Sequence, residues 1–131
     1  MQTAVAVVPR DATKCYGEFI NPDTFPAWVP GLRRVRVIAK NAAGRALEIH
    51  FEYGASRTYS LKYEYNDETR EVRWEPQANK RDAVAGFARF EADESGGTKI
   101  TYGLKHQGGP TELTELDALL AAFATYMQRV R

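Results

Sequence analysis

Two segments in the middle of the chain alternate between apolar and polar residues along almost their whole length. From Arg45 to Tyr53, one face would carry Leu47, Ile49, Phe51 and Tyr53, and the other would carry Ala46, Glu48, His50 and Glu52. From Thr58 to Tyr65, one face would carry Tyr59, Leu61, Tyr63 and Tyr65, and the other would carry Ser60, Lys62 and Glu64. A period of two residues is that of a β-strand with one buried and one solvated face. The pattern therefore predicts an antiparallel sheet whose apolar, aromatic face is covered by another layer.

Five further segments are predicted to be strands of the same sheet. They are Ala4–Val8, Val35–Lys40, Arg70–Glu75, Val84–Ala92 and Thr98–His106. Residues that favour turns separate consecutive strands, so the strands from Val35 onwards are expected to form a meander. In the last hairpin, one face is expected to hold Ala88, Phe90, Ile100, Tyr102 and Leu104.

Two segments have the spacing of amphipathic helices. Asp11 is expected to cap the first, whose apolar face would carry Ala12, Cys15, Tyr16 and Phe19. Thr111 or Thr114 would cap the closing helix, and its apolar side would carry Leu116, Leu119, Leu120, Phe123 and Met127. We expect this long helix to cover the apolar face of the sheet. A curved sheet wrapped around one helix can leave an enclosed space between them.

The segment 21–31, NPDTFPAWVPG, cannot be one long helix. Its three prolines each remove a backbone donor and fix φ, and the residue before Pro22 disfavours the α region. We expect the end of the first helix, a short kinked turn that carries Phe25 and Trp28, and a strand from Gly31. Because exposed aromatic rings on a loop are unfavourable, this turn must bury the two rings against something.

The sequence resembles the START-like superfamily, also called the Bet v 1-like or polyketide cyclase/dehydrase and lipid-transport group. Three places carry the resemblance: the segment NPDTFPAWVPGLRRVRV, the hairpin GFARFEADESGGTKITYGL at Gly86–Leu104, and the closing amphipathic helix. The resemblance spans essentially the whole chain and implies a single α+β domain over residues 1–131. The implied fold is a helix-grip, in which a seven-stranded antiparallel sheet curls around a long C-terminal helix and two short helices follow the first strand.

The resemblance also implies a cavity between sheet and helix that holds a hydrophobic small molecule of the lipid, polyketide, sterol or quinone class. The residues expected to contact such a ligand are Phe25, Trp28, Phe51, Tyr53, Tyr63, Tyr65, Trp74, Phe90, Tyr102, Leu120, Phe123 and Met127. An aromatic wall would stack a planar ring system, and buried phenols need hydrogen-bond partners that a ligand can supply. The alternative is that these rings fill the core and satisfy one another. Phe25 and Trp28 would be either the lid of the cavity or a hydrophobic plug.

Two functional hypotheses of different classes follow. The first is binding or carriage of a hydrophobic, ring-containing metabolite. The second is a polyketide-type cyclase or dehydratase that holds a reactive chain near an acid or base, for which His106 and Tyr102 are the candidates. Polar residues other than tyrosine are scarce on the predicted inner face, which favours binding. A third alternative is an interaction domain whose cavity is filled by the inner rings.

Composition excludes several other classes of function. The net charge is only +1, and the cluster Arg33, Arg34 and Arg36 is expected to be a solvated face, so no nucleic-acid partner is predicted. His50 falls on the polar face of its strand, and two histidines with one cysteine, Cys15, predict no zinc site and no disulfide. No cofactor motif and no integral membrane segment are recognised. We expect a cytoplasmic protein, and the sequence leaves its oligomeric state open.

Overall fold

The computed structural model of the protein describes residues 2–53, 58–76, 85–105 and 113–130. Within these residues the elements are β1 (Gln2–Val8), α1 (Ala12–Phe19), a 3-10 turn (Pro22–Thr24), α2 (Phe25–Trp28), β2 (Leu32–Lys40), β3 (Ala46–Tyr53), β4 (Thr58–Asn66), β5 (Glu71–Pro76), β6 (Gly86–Ala92), β7 (Thr98–Leu104) and α3 (Leu113–Arg129). The predicted helix-grip order is therefore confirmed. Short helices follow the first strand, a run of strands comes next, and a long helix closes the fold.

The seven strands form one curved antiparallel sheet in the order β1-β7-β6-β5-β4-β3-β2. The strands β2 to β7 form the predicted meander, and β1 pairs with β7. The last hairpin has the predicted parity, because Ala88 lies opposite Tyr102 and Phe90 lies opposite Ile100, and all four side chains are buried. The buried side chains of the sheet lie on its concave face, which faces the helices.

The alternation of apolar and polar residues predicts the wrong face of the sheet for the first residues of β3. Ala46 is buried, whereas Leu47 is exposed, with 39% of its surface accessible. The pairing of β2 with β3 shifts register at this point, because Lys40 lies opposite Ala46 and Ala39 lies opposite Glu48, which leaves Leu47 without a partner in β2. One extra residue in one strand is a β-bulge, and it turns the side chains on its two sides to opposite faces of the sheet.

The helix α1 begins and packs as expected. The side chain of Asp11 accepts a hydrogen bond from the backbone N–H of Lys14 at 2.8 Å, and this caps the helix. Its apolar face is buried, with the thiol of Cys15 inside, and α1 packs against β6 and β7. The long helix α3 packs mainly against β1, β7 and α2. In the described part of the chain, no helix is both long enough and apolar enough to cross a membrane.

The proline-rich segment forms a 3-10 turn and one turn of α-helix. The Asn21 side chain accepts from the N–H of Asp23 at 3.1 Å and caps the 3-10 turn. Phe25 and Trp28 are buried, as their expected role requires. Gly31 has φ 76°, a left-handed conformation that glycine adopts without a steric cost, and β2 starts at the next residue.

The outer face of the sheet is polar. Arg33, Arg34 and Arg36 are exposed, and the Nε of Arg34 donates to Glu52 at 2.6 Å. The three arginines are exposed to solvent, as the sequence predicts.

The sheet has two ends that differ in what covers them. The strands β3, β5 and β7 start at the end that α1 covers, and they finish at the opposite end, where Tyr53, Pro76 and Leu104 lie. We call this opposite end the far end of the sheet.

Candidate functional site

Aromatic rings form a continuous set of contacts between the concave face and the helices. Phe19 of α1 lies at its centre and contacts five rings, at centroid distances of 5.1 to 6.4 Å. Those five rings belong to Trp28, Trp74, Phe90, Tyr102 and Phe123. Every aromatic residue predicted to contact a ligand touches at least one other ring. Much of the space on the concave side is therefore occupied by aromatic side chains.

The helix side of this cluster comes from α3. Leu120, Phe123 and Met127 recur at helical spacing and are all buried, as the sequence predicts. The Phe123 ring lies 4.8 Å from the Trp28 ring and 6.5 Å from the Phe90 ring, measured between centroids. These residues join α3 to α2 and to the sheet.

Phe25 and Trp28 pack against one side of the cluster. The Phe25 ring is stacked on Phe51 of β3, with a centroid distance of 5.8 Å and an interplanar angle of 10°. The indole N–H of Trp28 donates to the hydroxyl of Thr24 at 3.1 Å, so its one polar atom is satisfied within the same segment. Both rings are in full contact with the core in this conformation. Their movement as a lid stays a prediction.

A polar network closes the concave face at the end that α1 covers. The hydroxyl of Tyr16 donates to Asp67 Oδ1 at 2.8 Å, and Arg45 Nη2 donates to the same oxygen at 3.0 Å. The Arg45 guanidinium lies 5.7 Å from the ring centres of both Tyr16 and Tyr65. The hydroxyl of Tyr65 donates to the backbone carbonyl of Ala46 at 2.6 Å. Every phenol at this end therefore has a partner within the protein.

The phenols at the far end differ from these in their hydrogen bonds. The hydroxyl of Tyr59 donates to that of Tyr53 at 2.9 Å. Neither Tyr63 nor Tyr102 makes a side-chain hydrogen bond to any residue that the structure describes, and the same holds for the indole N–H of Trp74. All three side chains are more than nine-tenths buried, with 9%, 7% and 7% of their surface exposed for Tyr63, Tyr102 and Trp74.

These three polar atoms are not sealed inside the core. In the described part of the chain, Arg70 Nε is the only side-chain nitrogen or oxygen that is both fully enclosed and without a partner. The Tyr63 hydroxyl, the Tyr102 hydroxyl and the Trp74 N–H are not among the fully enclosed atoms there. Because buried polar groups without a partner are costly, these three atoms are the candidates for hydrogen bonds beyond those that the described residues provide.

Burial keeps these phenols protonated. It is the main cause that raises the pKa of Tyr63 well above its usual range, and the neighbouring phenol of Tyr65 adds to the shift. Burial, followed by the phenol of Tyr53, likewise raises the pKa of Tyr102. Because a neutral phenol donates a hydrogen bond, both hydroxyls act as donors over the whole physiological pH range. They are poor general bases and weaker acids than an exposed tyrosine.

No charged side chain is buried as a whole in the residues that the structure describes, although Arg70 has its Nε enclosed. The only buried polar side chain there, outside the aromatic residues and the cysteine, is that of Thr98. Its hydroxyl donates a hydrogen bond to the backbone carbonyl of Arg10, at 2.6 Å. No group of three or more histidine, cysteine, aspartate or glutamate side chains in the described residues could hold a metal ion. The concave face therefore offers apolar contact and neutral donors.

A groove of about 630 Å³ runs across the sheet from β2 to β6. Charged residues of the outer face line it, and Tyr63, Trp74 and Gly86 also contribute to its lining. Its charged residues alternate in sign from strand to strand, because Glu48 lies opposite Lys62 and Lys62 lies opposite Glu75. Exposed pairs of this kind are the ordinary solvated surface of a sheet. We assign no ligand to this groove.

The structure brings some predicted site residues together and leaves one out. Trp74 is in ring contact with Tyr63 and Tyr102, and the phenol of Tyr53 is near enough to influence both tyrosines. His106 and the proposed cap Thr111 lie outside the described residues, and α3 already includes the other proposed cap, Thr114. His50 is on the outer face, with its Nδ1 3.1 Å from Ser60 Oγ.

The sequence did not predict that Phe19 is the centre of the ring cluster. Its helical spacing after Ala12 and Cys15 marked it as apolar but did not indicate that it would reach Trp74 and Tyr102.

Comparison with known proteins places this geometry in a known fold. No protein-family model matches the sequence, and no curated protein matches it at a significant level. Among solved structures, a START superfamily protein from Mycobacterium smegmatis is similar with a TM-score of 0.82 and 12% identity, over 99% of this chain and 98% of that one. The Zhui aromatase/cyclase from Streptomyces sp. R1128 is similar with a TM-score of 0.72 and 10% identity, over 98% and 93% of the two chains.

A third structure, Ara h 8.0201, has a TM-score of 0.71 and 13% identity over 98% of this chain and 97% of its own. Identities this low carry information about the fold alone. The likeness shows that the chain has the helix-grip fold of the START-like, or Bet v 1-like, superfamily that its sequence resembles.

Proposed function

We propose that the protein binds a hydrophobic, ring-containing small molecule between the concave face of the sheet and α3, at the far end. One observation carries the proposal: the hydroxyls of Tyr63 and Tyr102 belong to buried side chains, lack a partner among the described residues and are not among the fully enclosed atoms there. A ligand that carries oxygen atoms would supply the missing partners while its rings contact the aromatic wall.

The aromatic surroundings support the same conclusion. The Trp74 ring is in contact with the rings of Tyr63 and Tyr102, at centroid distances of 6.0 and 5.6 Å. Flat side chains of this kind offer a large apolar area at a low cost in conformational entropy and stack planar ligands. The likeness in fold to a START superfamily protein and to an aromatase/cyclase supports the proposal further, because both proteins share this architecture over nearly their whole length.

The predicted ligand-contact residues divide into two groups under this proposal. Tyr53, Tyr63, Trp74 and Tyr102 form the binding wall at the far end. The other predicted residues shape the interior from the elbow, the rest of the sheet and α3, namely Phe25, Trp28, Phe51, Tyr65, Phe90, Leu120, Phe123 and Met127.

Native mass spectrometry of the protein purified from its own host tests the proposal. We expect an apolar small molecule to remain bound and to be lost when the protein unfolds. A second measurement, the shift in melting temperature with a set of sterols, quinones and polyphenols, should give stabilisation by at least one of them. If no molecule co-purifies and none of the set binds, the proposal is wrong, and the interaction-domain alternative, in which the inner rings fill the interior, is favoured.

A cyclase or dehydratase activity in the same place is the second candidate. The likeness to the Zhui aromatase/cyclase over almost the whole chain favours it. The raised pKa values of Tyr63 and Tyr102 weigh against it, because both phenols are weaker acids than usual and their basic, ionised form is scarcely populated at neutral pH. Turnover of a linear polyketide by the Tyr102→Phe and His106→Ala variants tests it, and an unchanged product distribution from both would remove these residues from the mechanism.

A further inference from the structure

We infer that the ligand is a neutral, planar compound with at least two carbonyl oxygens, of the quinone or aromatic ketone class, and that Tyr63, Tyr102 and Trp74 select it by donating hydrogen bonds. This inference rests on the proposed function and deepens it. It names the chemical class of the ligand and the three side chains that would distinguish it from a plain hydrocarbon of the same shape.

The three side chains form one continuous wall on neighbouring strands. Tyr63 of β4 lies directly opposite Trp74 of β5 in the sheet, and the next position across the sheet is Gly86 of β6. Because Gly86 has no side chain, the Trp74 ring can lie over it and reach Tyr102 of β7. The interplanar angles of Trp74 with Tyr63 and with Tyr102 are 38° and 36°, so the wall curves gently around the space in front of it.

All three polar atoms of this wall can donate a hydrogen bond. An indole N–H can only donate, and the two phenols stay neutral because burial disfavours their ionised form. Tyr53 and Tyr59 differ from them, since the hydroxyl of Tyr59 already donates to that of Tyr53. The two phenols can also accept, but the indole N–H cannot, so the ligand must offer at least one acceptor. Carbonyl oxygens at the edge of a ring system can accept from all three groups.

The charge of the interior restricts the ligand further. No charged side chain is buried in the residues that the structure describes. A carboxylate or an ammonium group brought into this space would lose its hydration, and no buried opposite charge among the described residues would compensate it. A neutral carbonyl compound avoids that cost and still satisfies the donors.

Three probes with one ring skeleton test the inference: anthraquinone, anthracene and an anthracene carboxylate. Binding is followed by quenching of tryptophan fluorescence and confirmed by calorimetry on the wild-type chain. We expect anthraquinone to bind on the order of tenfold more tightly than anthracene, because two hydrogen bonds are added, and the carboxylate to bind more weakly than anthraquinone.

Variants then locate the selectivity. The double variant Tyr63→Phe and Tyr102→Phe keeps both rings and removes both hydroxyls, so it should bind anthraquinone roughly tenfold more weakly and anthracene unchanged. The matched control is Tyr126→Phe, whose lost hydroxyl donates to Glu18 on α1, away from this wall, and which should leave both affinities unchanged. Circular dichroism confirms that each variant is folded, and the wild-type preference among the probes tests the inference without any variant.

The outcomes separate the inference from the proposed function. Equal binding of anthraquinone and anthracene by the wild-type chain, or tighter binding of the carboxylate, overturns the inference and leaves the proposed function standing. Retention of the preference for anthraquinone in the double variant also overturns it, because the donors would then not be the selecting groups. Absence of binding by these probes and by the whole set of sterols, quinones and polyphenols overturns both.

Discussion

Gly86 determines how closely Trp74 approaches the last strand. A Cβ atom at this position would lie 2.5 Å from the carbonyl oxygen of Gly103 and 2.8 Å from Cζ2 of Trp74. The first neighbour is backbone and cannot move without a shift of β7. We therefore predict that Gly86→Ala destabilises the protein by about 1–3 kcal/mol, the usual cost of overpacking a dense interior. Urea unfolding followed by tryptophan fluorescence measures the change.

Gly17 provides the matched control for this substitution. It lies within α1, and a Cβ atom there would have no neighbour within 4 Å. Because alanine has a higher helix propensity than glycine, Gly17→Ala should stabilise the protein by about 0.5–1 kcal/mol. Destabilisation by both substitutions, or by neither, would show that the contact with Trp74 and β7 is not what constrains position 86.

The bulge in β3 leads to a second prediction, at Leu47 and Ile49. By the alternation both residues should be core, yet Leu47 is 39% exposed and Ile49 is completely buried. We expect Leu47→Ala to change the free energy of unfolding by no more than about 0.5 kcal/mol. Ile49→Ala should cost about 2–5 kcal/mol, because it leaves a cavity beneath Leu61 and Val37. Equal costs in chemical denaturation at both positions would contradict the observed register of β2 and β3.

Single residues also show what the sequence could not predict about the site. The alternation placed Tyr63 and Tyr102 on the buried face correctly, because the strand period alone decides the face. It could not predict that the hydroxyl of Tyr65 donates to the carbonyl of Ala46, whereas the hydroxyl of Tyr63 has no partner among the described residues. The bulge in β3 determines where the carbonyl of Ala46 lies. Pairing register is a property of two strands, so neither segment contains it by itself.

At the scale of elements, one polar contact ties α1 to the turn between β4 and β5. Asp67 receives hydrogen bonds from Tyr16 of α1 and from Arg45, and these lower its pKa, with the Tyr16 bond as the largest cause. A carboxylate whose pKa is lowered by folding stabilises the protein above its unfolded pKa, near 4, and this contribution is lost as the pH falls. Part of the loss of stability in acid should therefore depend on Tyr16.

We predict that Tyr16→Phe lowers stability at pH 7 by about 0.5–1.5 kcal/mol and weakens the dependence of stability on pH below about 4. Thermal unfolding at pH values from about 7 down to about 3 measures both effects, with wild type and variant compared at each pH. Tyr126→Phe serves as the control, because its hydroxyl also bonds a carboxylate, that of Glu18, but joins α3 to α1. If the wild type and Tyr16→Phe lose stability in parallel as the pH falls, the bond to Asp67 does not carry the effect.

At the scale of the whole molecule, the order of elements was predictable and the arrangement of the helices was not. Local signals located the elements closely: Asp11 as a cap, the prolines after Asn21, and the start of β7 at Thr98. The packing of α3 mainly on β1, β7 and α2 depends on contacts between residues far apart in sequence. That packing decides where rings fill the interior and where phenols stay unpaired, so the far end could be recognised as a site only from the fold.

The concentration of buried phenols predicts how the whole protein responds to alkaline pH. Burial is the largest cause that raises the pKa of Tyr16, Tyr63, Tyr65 and Tyr102 in the folded state, and for Tyr65 it raises the value to about 12. In the unfolded chain a phenol loses its proton near pH 10, so above that pH the unfolded state binds fewer protons than the folded one. The free energy of unfolding must then fall as the pH rises. The contribution is fully present below about pH 10 and is lost on approach to the folded pKa values.

Melting temperatures measured from about pH 8 to about pH 11.5 test this prediction, with an ultraviolet titration of the phenolates in the folded state as the second readout. We expect a steep fall in melting temperature above about pH 10, and a shallower fall in the double variant Tyr63→Phe and Tyr102→Phe, which has two fewer buried phenols to ionise. Lysine residues lose their protons in the same range in both proteins, so the difference between the two curves isolates the phenols. Identical curves, or titration of all tyrosines at the ordinary value in the folded protein, would contradict the burial of Tyr63 and Tyr102. The donor role assigned to them at the far end would then lose its physical basis.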